Sequence, residues 1–300
     1  MLNTITGRRN ARRVVVVLLS IVVLFYVLAP IYWVVVSSFQ KEAALQERPP
    51  YFVPRREIFT LNHYSFLFTG VVPPGSTVMI QSMYTMTGTL VYPAIINSVV
   101  VAVFVTLINF LIGFPAAHIF SRYRFYGDRK LFLFMMATRL LPSISIVIPM
   151  YILMRRLGLL DTKVALVGIY TAITVPFTIW ILRAYFRNIP VEYEEASRMD
   201  GCGYFKTLYK VVLPLARPGI VASLIFAFMS SYGEFVFATI LTQSIRSKTQ
   251  TAVLAALAQG LSSSRGMIAA AATLSFLPPL LLAVVFRKQI LEGLSARLNL

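Results

Sequence analysis

Cysteine is almost absent from this 300-residue chain: Cys202 stands alone, which excludes a disulfide within it. Histidine is equally scarce. His63 and His118 lie far apart, which argues against a histidine-based metal centre and against a nucleophile–base pair of the hydrolase kind. Charge is the third shortage. Only 13% of residues are charged, against about 25% in average soluble chains, and that leaves too little polar surface to wrap a water-soluble core. Apolar side chains fill the gap, at 58% of residues with a mean hydropathy of +0.75. Acidic residues are the rarer sign, 11 against 28 Lys and Arg, for a net charge of +17. In a membrane chain such an excess reflects loops held against anionic lipid, so lipid and not nucleic acid is the expected partner of these charges.

Runs of about 20 apolar residues are long enough to cross a hydrocarbon core of about 30 Å as helices. Six are present, at 14–36, 94–120, 131–154, 164–186, 219–241 and 267–286. The expected fold class is all-α and polytopic. The first run follows Arg8, Arg9, Arg12 and Arg13. It is too long for a signal peptide's apolar region and lacks a small-residue cleavage pattern, so it reads as an uncleaved anchor. With residues 1–13 in the cytoplasm, the inside segments hold 17 Lys and Arg and the outside segments 10. That bias puts both termini inside. Residues 37–93 then form a periplasmic loop with turn signals at Pro49-Pro50 and Pro73-Pro74. Residues 94–286 form a five-helix core, and 287–300 a cytoplasmic tail.

The cytoplasmic loop 188–218 carries its own helix signals. Asn188 suits an N-cap and Pro190 a first turn. Glu192, Glu194 and Glu195 sit where the helix dipole favours negative charge, and Gly201 and Gly203 supply a stop. A short helix is expected over 190–200 and a second over 204–211, with Leu213-Pro214 and Arg217-Pro218 breaking the chain before the fifth span. Ala196 and Ser197 offer a small-residue patch for close backbone approach. Val191, Met199, Phe205 and Leu208 are more apolar surface than a free loop needs. Physics alone leaves two readings open, a solvated connector and a plug for a partner's groove.

Glu195-Ala196-Ser197, then Gly201, then Val211-Val212-Leu213-Pro214 resembles the Glu-Ala-Ala loop of binding-protein-dependent ABC importer permeases, E-A-A-x3-G-x9-I-x-L-P. Ser197 replaces the last Ala, Val211 the Ile, and Cys202 a common Ala. The carbohydrate branch is resembled at Asn97-Ser98, Pro115-Ala116-Ala117 with Ser121-Arg122-Tyr123-Arg124-Phe125, and Leu141-Pro142 with Ile148-Pro149. Leu157-Gly158-Leu159-Leu160-Asp161-Thr162, Pro176-Phe177 and Gly233-Glu234-Phe235 extend it. From about residue 62 to 294 the chain is similar to the second permease of maltose-type importers. Residues 70–91 read as an insertion, and 295–300 depart from the usual ending.

That resemblance implies a type I ABC importer permease fold and a heteromeric machine. Its other parts would be a second permease forming a heterodimer, two ATPase subunits holding ATP and Mg, and a periplasmic or lipid-anchored solute-binding protein, with a carbohydrate as substrate. The chain has no G-x-x-x-x-G-K-[ST] phosphate cradle, so it is expected to bind no cofactor itself. Under the resemblance Glu192, Glu194, Glu195, Ala196, Ser197, Met199, Asp200, Gly201, Leu213 and Pro214 couple to the ATPase.

Glu234, an intramembrane carboxylate, is expected to face protein or water. With Ser230 and Tyr232 beside it, it reads either as pathway-lining or as a structural hydrogen bond to a neighbouring helix. Arg139 reads as its partner or as a side chain reaching headgroups or backbone carbonyls. Asn97 and Tyr151 complete the pathway candidates, and Trp180 is a further aromatic able to stack on a sugar. His118 reads as a packed, hydrogen-bonded ring, and His63 as solvated. An ion-coupled secondary transporter using Glu234 and Arg139 is the alternative function, and a scaffold without transport a third.

Overall fold

A computed structural model of the chain describes residues 2–53, 55–72, 86–260 and 264–289. Most of the expected insertion (73–85, with Pro73-Pro74) and the end of the tail (290–300) lie outside the described residues. Among the described residues the regular structure is helical, with an isolated antiparallel bridge between Gln40 and Phe59. Four of the described helices are long and apolar enough to cross a membrane: Arg13–Ser38, Thr87–Arg122, Lys163–Arg187 and Arg265–Val285. Two bent pairs pass the same test together, Asp128–Leu140 with Ser143–Arg156 and Tyr204–Leu215 with Arg217–Tyr232. If each pair is one span, the total is six.

The bends correct two of the expected spans. The run 131–154 is not one helix but turns by 98°. Leu141 precedes Pro142, and the proline ring pushes the residue before it into extended backbone (φ −73, ψ 120). The run 219–241 stops at Tyr232, continues through Gly233-Glu234-Phe235, and restarts as Val236–Leu241. Its approach from the loop bends by 84° at Ala216, just ahead of Arg217-Pro218. Hydropathy averaged along the chain does not register such changes of direction.

The chain divides into two compact units, one of Met1–Thr89 with Leu257–Leu274, the other of Leu90–Ala256 with Ser275–Leu300. In the first, the Glu42 carboxylate caps the start of helix Arg265–Val285. It accepts from the Ser264 hydroxyl at 2.6 Å and from the N–H groups of Arg265 and Gly266 at 3.2 and 3.1 Å. A negative charge at a helix N-terminus is favoured by the dipole and by the unpaired N–H groups there. His63 is not solvated as expected but 1% exposed, with Nε2 2.9 Å from the Gln40 carbonyl. Gly266 makes room for it, since a Cβ there would lie 2.2 Å from His63 Nε2.

In the second unit, helices Val91–Ile108 and Phe114–Arg122 pack on Lys163–Arg187, and Arg217–Tyr232 packs on both Val91–Ile108 and Lys163–Arg187. Small residues permit that approach: a Cβ on Gly219 would stand 2.3 Å from the Tyr185 ring. Asn109 supplies a buried polar tie. Its amide donates to Thr174 Oγ1 at 2.8 Å, and its carbonyl oxygen accepts from Thr178 Oγ1 at 2.8 Å. Asn109–Gly113 is a wide, π-type turn immediately before Phe114-Pro115, and Leu208–Val212 is another immediately before Leu213-Pro214. Proline has no N–H to donate and its ring crowds the carbonyl one turn back. One extra residue in the preceding turn relieves that crowding.

Candidate functional site

Helix Lys163–Arg187 spans about 37 Å at 1.5 Å per residue and separates two polar ends of the second unit. One end leads through Asn188 to the loop helix, which runs Glu192–Met199. Asn188 is the C-cap of the long helix and not the N-cap of the short one, whose cap position is Val191 with no side-chain bond. Gly201 follows the helix at φ 75, a left-handed conformation that ends helices at little cost only for glycine. The chain then forms Tyr204–Thr207, the wide turn Leu208–Val212 and Leu213–Leu215.

Residues three apart share a helix face, and the loop helix uses this to sort its side chains. Glu194 and Ser197 are buried, while Glu192, Glu195, Ala196, Met199 and Asp200 are exposed. The Ser197 hydroxyl lies 3.0 Å from Thr207 Oγ1. The close approach that its small size allows is therefore made by the chain's own next helix, which differs from the expected partner-facing patch. Ala196 alone of that pair is exposed. Met199 is 88% and Phe205 71% exposed, large apolar groups that a lone chain leaves in water. Leu213 is half-buried and Pro214 exposed at the end of the wide turn.

Glu194 meets partners that the loop sequence does not disclose. Arg122 Nε donates to its Oε1 at 2.7 Å, and His118 Nε2 lies 3.0 Å from its Oε2. His118 Nδ1 is 3.2 Å from the Tyr204 hydroxyl, and Arg122 Nη2 donates to the Ile189 carbonyl at 2.8 Å. The spacing of His118 and Arg122, four apart, tells from the sequence only that both lie on one face of a helix, not what that face meets.

At the other end Asp161, at φ 59, accepts from the N–H groups of Gln243 and Ser244 at 2.8 and 2.9 Å and from the Ser247 hydroxyl. Burial raises the Asp161 carboxyl, but the bonds from Ser244, Ser247 and Gln243 outweigh it and hold the group well below the usual carboxylate range. Asn97 is buried beside this loop. Its amide donates to the Ile245 and Lys248 carbonyls at 2.9 and 3.0 Å, and its oxygen accepts from Lys163 Nζ at 3.0 Å.

The remaining pathway candidates are not gathered into one place. The Glu234 carboxylate accepts from Tyr170, Phe237 and Ala238, and Tyr232 donates to the Ser275 carbonyl at 3.0 Å. Tyr151 packs against the cluster around Val147 and Tyr170, and Ser230 is half-buried. Arg139 donates to the Ile173 carbonyl at 2.9 Å and lies over the Phe177 ring. It lines a cleft of about 520 Å³ with Thr138, Ser143, Ile169 and Ile173, in the bend at Pro142. Arg139 and Glu234 thus have separate partners, which leaves the ion-coupled alternative without structural support. Among the described residues there is no cluster of three metal-ligating side chains.

Comparison with known proteins gives consistent results. Residues 109–294 match the family described as binding-protein-dependent transport system inner membrane component. The trehalose/maltose transport system permease protein MalG of Thermococcus litoralis is 31% identical over 272 residues, 90% of this chain and 90% of its own. The trehalose transport system permease protein SugB of Mycobacterium tuberculosis is 29% identical over 278 residues, 90% of this chain and 92% of its own. A chain from the crystal structure of a bacterial ABC transporter involved in the import of the acidic polysaccharide alginate superposes with a TM-score of 0.68. It shares 20% identity and covers 93% of this chain and 97% of that one; at that identity the likeness speaks for the fold alone.

Proposed function

The chain belongs to the family of binding-protein-dependent transport system inner membrane components, and we propose that it is one of two permeases in a carbohydrate importer driven by ATP. As a member of that family it is a transmembrane, non-enzymatic subunit of an ABC importer. Met199 at the end of the loop helix and Phe205 in the next one, both large and largely exposed, carry the coupling part of the reading. Exposed apolar groups on a short helix fit a partner's groove.

In this reading the ATPase receives the outward face, with Met199 and Phe205 as anchors and Glu192, Glu195, Ala196 and Asp200 around them. Gly201 ends the helix at the required angle, and Leu213-Pro214 turns the chain back toward the fifth span. Both termini lie in the cytoplasm with this loop. ATP and Mg are held by two ATPase partners, a second permease completes the pathway as a heterodimer, and a solute-binding protein delivers substrate at the far side. The carbohydrate assignment is supported by relatives named for trehalose and maltose. Arg139, at its cleft, is the pathway residue. Glu234, Tyr232 and Asn97 hold the helices around it.

The test is uptake in cells carrying the whole transporter. Gly201→Val or Glu195→Trp should abolish uptake with membrane insertion intact, and the wild-type chain should co-purify with an ATPase. Undiminished uptake by both variants would defeat the coupling assignment.

A further inference from the structure

Neighbouring glutamates on the loop helix do opposite things. Glu195 is exposed, on the side proposed to meet the ATPase, whereas Glu194 is 1% exposed and turned toward the membrane helices. Its carboxylate is shared by Arg122 at 2.7 Å and His118 at 3.0 Å, both on helix Phe114–Arg122 and both nearly sealed from solvent. Arg122 also holds the Ile189 carbonyl, just beyond the end of helix Lys163–Arg187. A further basic side chain, Arg198, stands 3.9 Å away but is half exposed and adds little.

We infer that Glu194 is a positioning residue that carries displacement of the loop helix into the membrane helix ending at Arg122. The inference rests on the coupling reading above and deepens it by naming the load path. A mechanical link must be stiffer than what it moves. A solvated ion pair slips because water replaces either partner cheaply. A buried carboxylate cannot, because separating it from Arg122 leaves an uncompensated charge in a low-dielectric setting. The geometry adds a second constraint. Arg122 ties the loop helix to two membrane helices at once, and the Ser197–Thr207 contact on the same buried face joins it to the next short helix, which the Tyr204–His118 contact holds to the same membrane helix. Pushing on Met199 or Glu195 therefore moves the loop helix and the ends of both membrane helices as one body.

The experiment reconstitutes the full transporter in vesicles with its ATPase and binding protein and measures substrate moved per ATP hydrolysed. In Glu194→Ala this ratio should fall about tenfold, because hydrolysis continues while the movement is no longer delivered. Glu194→Gln, which keeps the size and loses the charge, should lower it about threefold. Arg122→Met should reproduce the alanine result. The milder Glu195→Gln, by contrast, should lower transport and hydrolysis together and leave the ratio within twofold. An unchanged ratio in assembled Glu194→Gln and Arg122→Met complexes would overturn the inference. So would failure of Glu194→Gln to assemble at all, since the carboxylate would then serve the fold alone. Lack of ATP-driven transport by the wild-type complex would instead strike the importer reading itself.

Discussion

Tyr170 donates its hydroxyl to Glu234 Oε2 at 2.7 Å, while the N–H groups of Phe237 and Ala238 donate to the same carboxylate at 3.0 and 3.2 Å. An acid whose sequence setting fits either a pathway or a structural hydrogen bond is occupied in starting helix Val236–Leu241. Glu234→Ala should cost about 1–3 kcal/mol, the range for leaving buried donors without their acceptor. Thermal unfolding of the purified protein measures it. A normal midpoint with lost uptake would return Glu234 to the pathway.

Asp161 makes the stability pH-dependent. Its folded pKa is held below the ordinary value despite burial, by the bonds from Ser244, Ser247 and Gln243. A group so depressed contributes stability that is fully present above its unfolded pKa of about 3.9 and is lost as pH falls through the folded one. The thermal midpoint should therefore drop as pH is lowered from about 4. Asp161→Asn should already be destabilised at pH 7 and show a flatter acid limb.

His63 works in the opposite range. Burial lowers its pKa against the opposing influence of Gln40 and Glu42, so the neutral ring is the folded form. Its contribution is intact above the unfolded pKa of about 6.5 and falls as pH drops below that. Between pH 7 and 5 the wild type should lose stability that His63→Gln does not lose. Gly266→Ala places a methyl 2.2 Å from His63 Nε2 and should cost about 1–3 kcal/mol as overpacking.

Asn109 is fully buried between two threonines. Asn109→Leu keeps the branched shape but strands the Thr178 hydroxyl, whereas Thr174 still has the Tyr170 carbonyl. A loss of about 1–2 kcal/mol in thermal stability is expected, and Asn109→Asp should lose more because it brings an unpaired charge into the interior.

The six apolar runs were readable because a membrane helix satisfies its own backbone and must be apolar for about 20 residues whatever it packs against. The loop helix and its stop at Gly201 were readable because an acidic first turn and a glycine stop are local signals, although the expected cap Asn188 belongs to the helix before it. The break ahead of Arg217-Pro218 was readable too, whereas the bend at Pro142 was not, since membrane helices tolerate proline and only the packing decides whether one kinks or breaks. The same limit hid the surroundings of Glu194. Its bonds to Arg122 and His118 join residues 72 and 76 positions apart, and no periodicity reports a contact of that span. His63 failed for a related reason: nothing near it in the chain announces that Gly266 leaves a space for its ring.

The five-residue turn Asn109–Gly113 has a geometric consequence for everything after it. An ordinary helix advances about 100° per residue, whereas the wide turn takes up its surplus residue without passing that rotation on. His118 and Arg122 owe their compass bearing to this local absorption. Winding the same five residues as regular helix would swing both side chains by about a quarter revolution, away from Glu194, without altering a single residue.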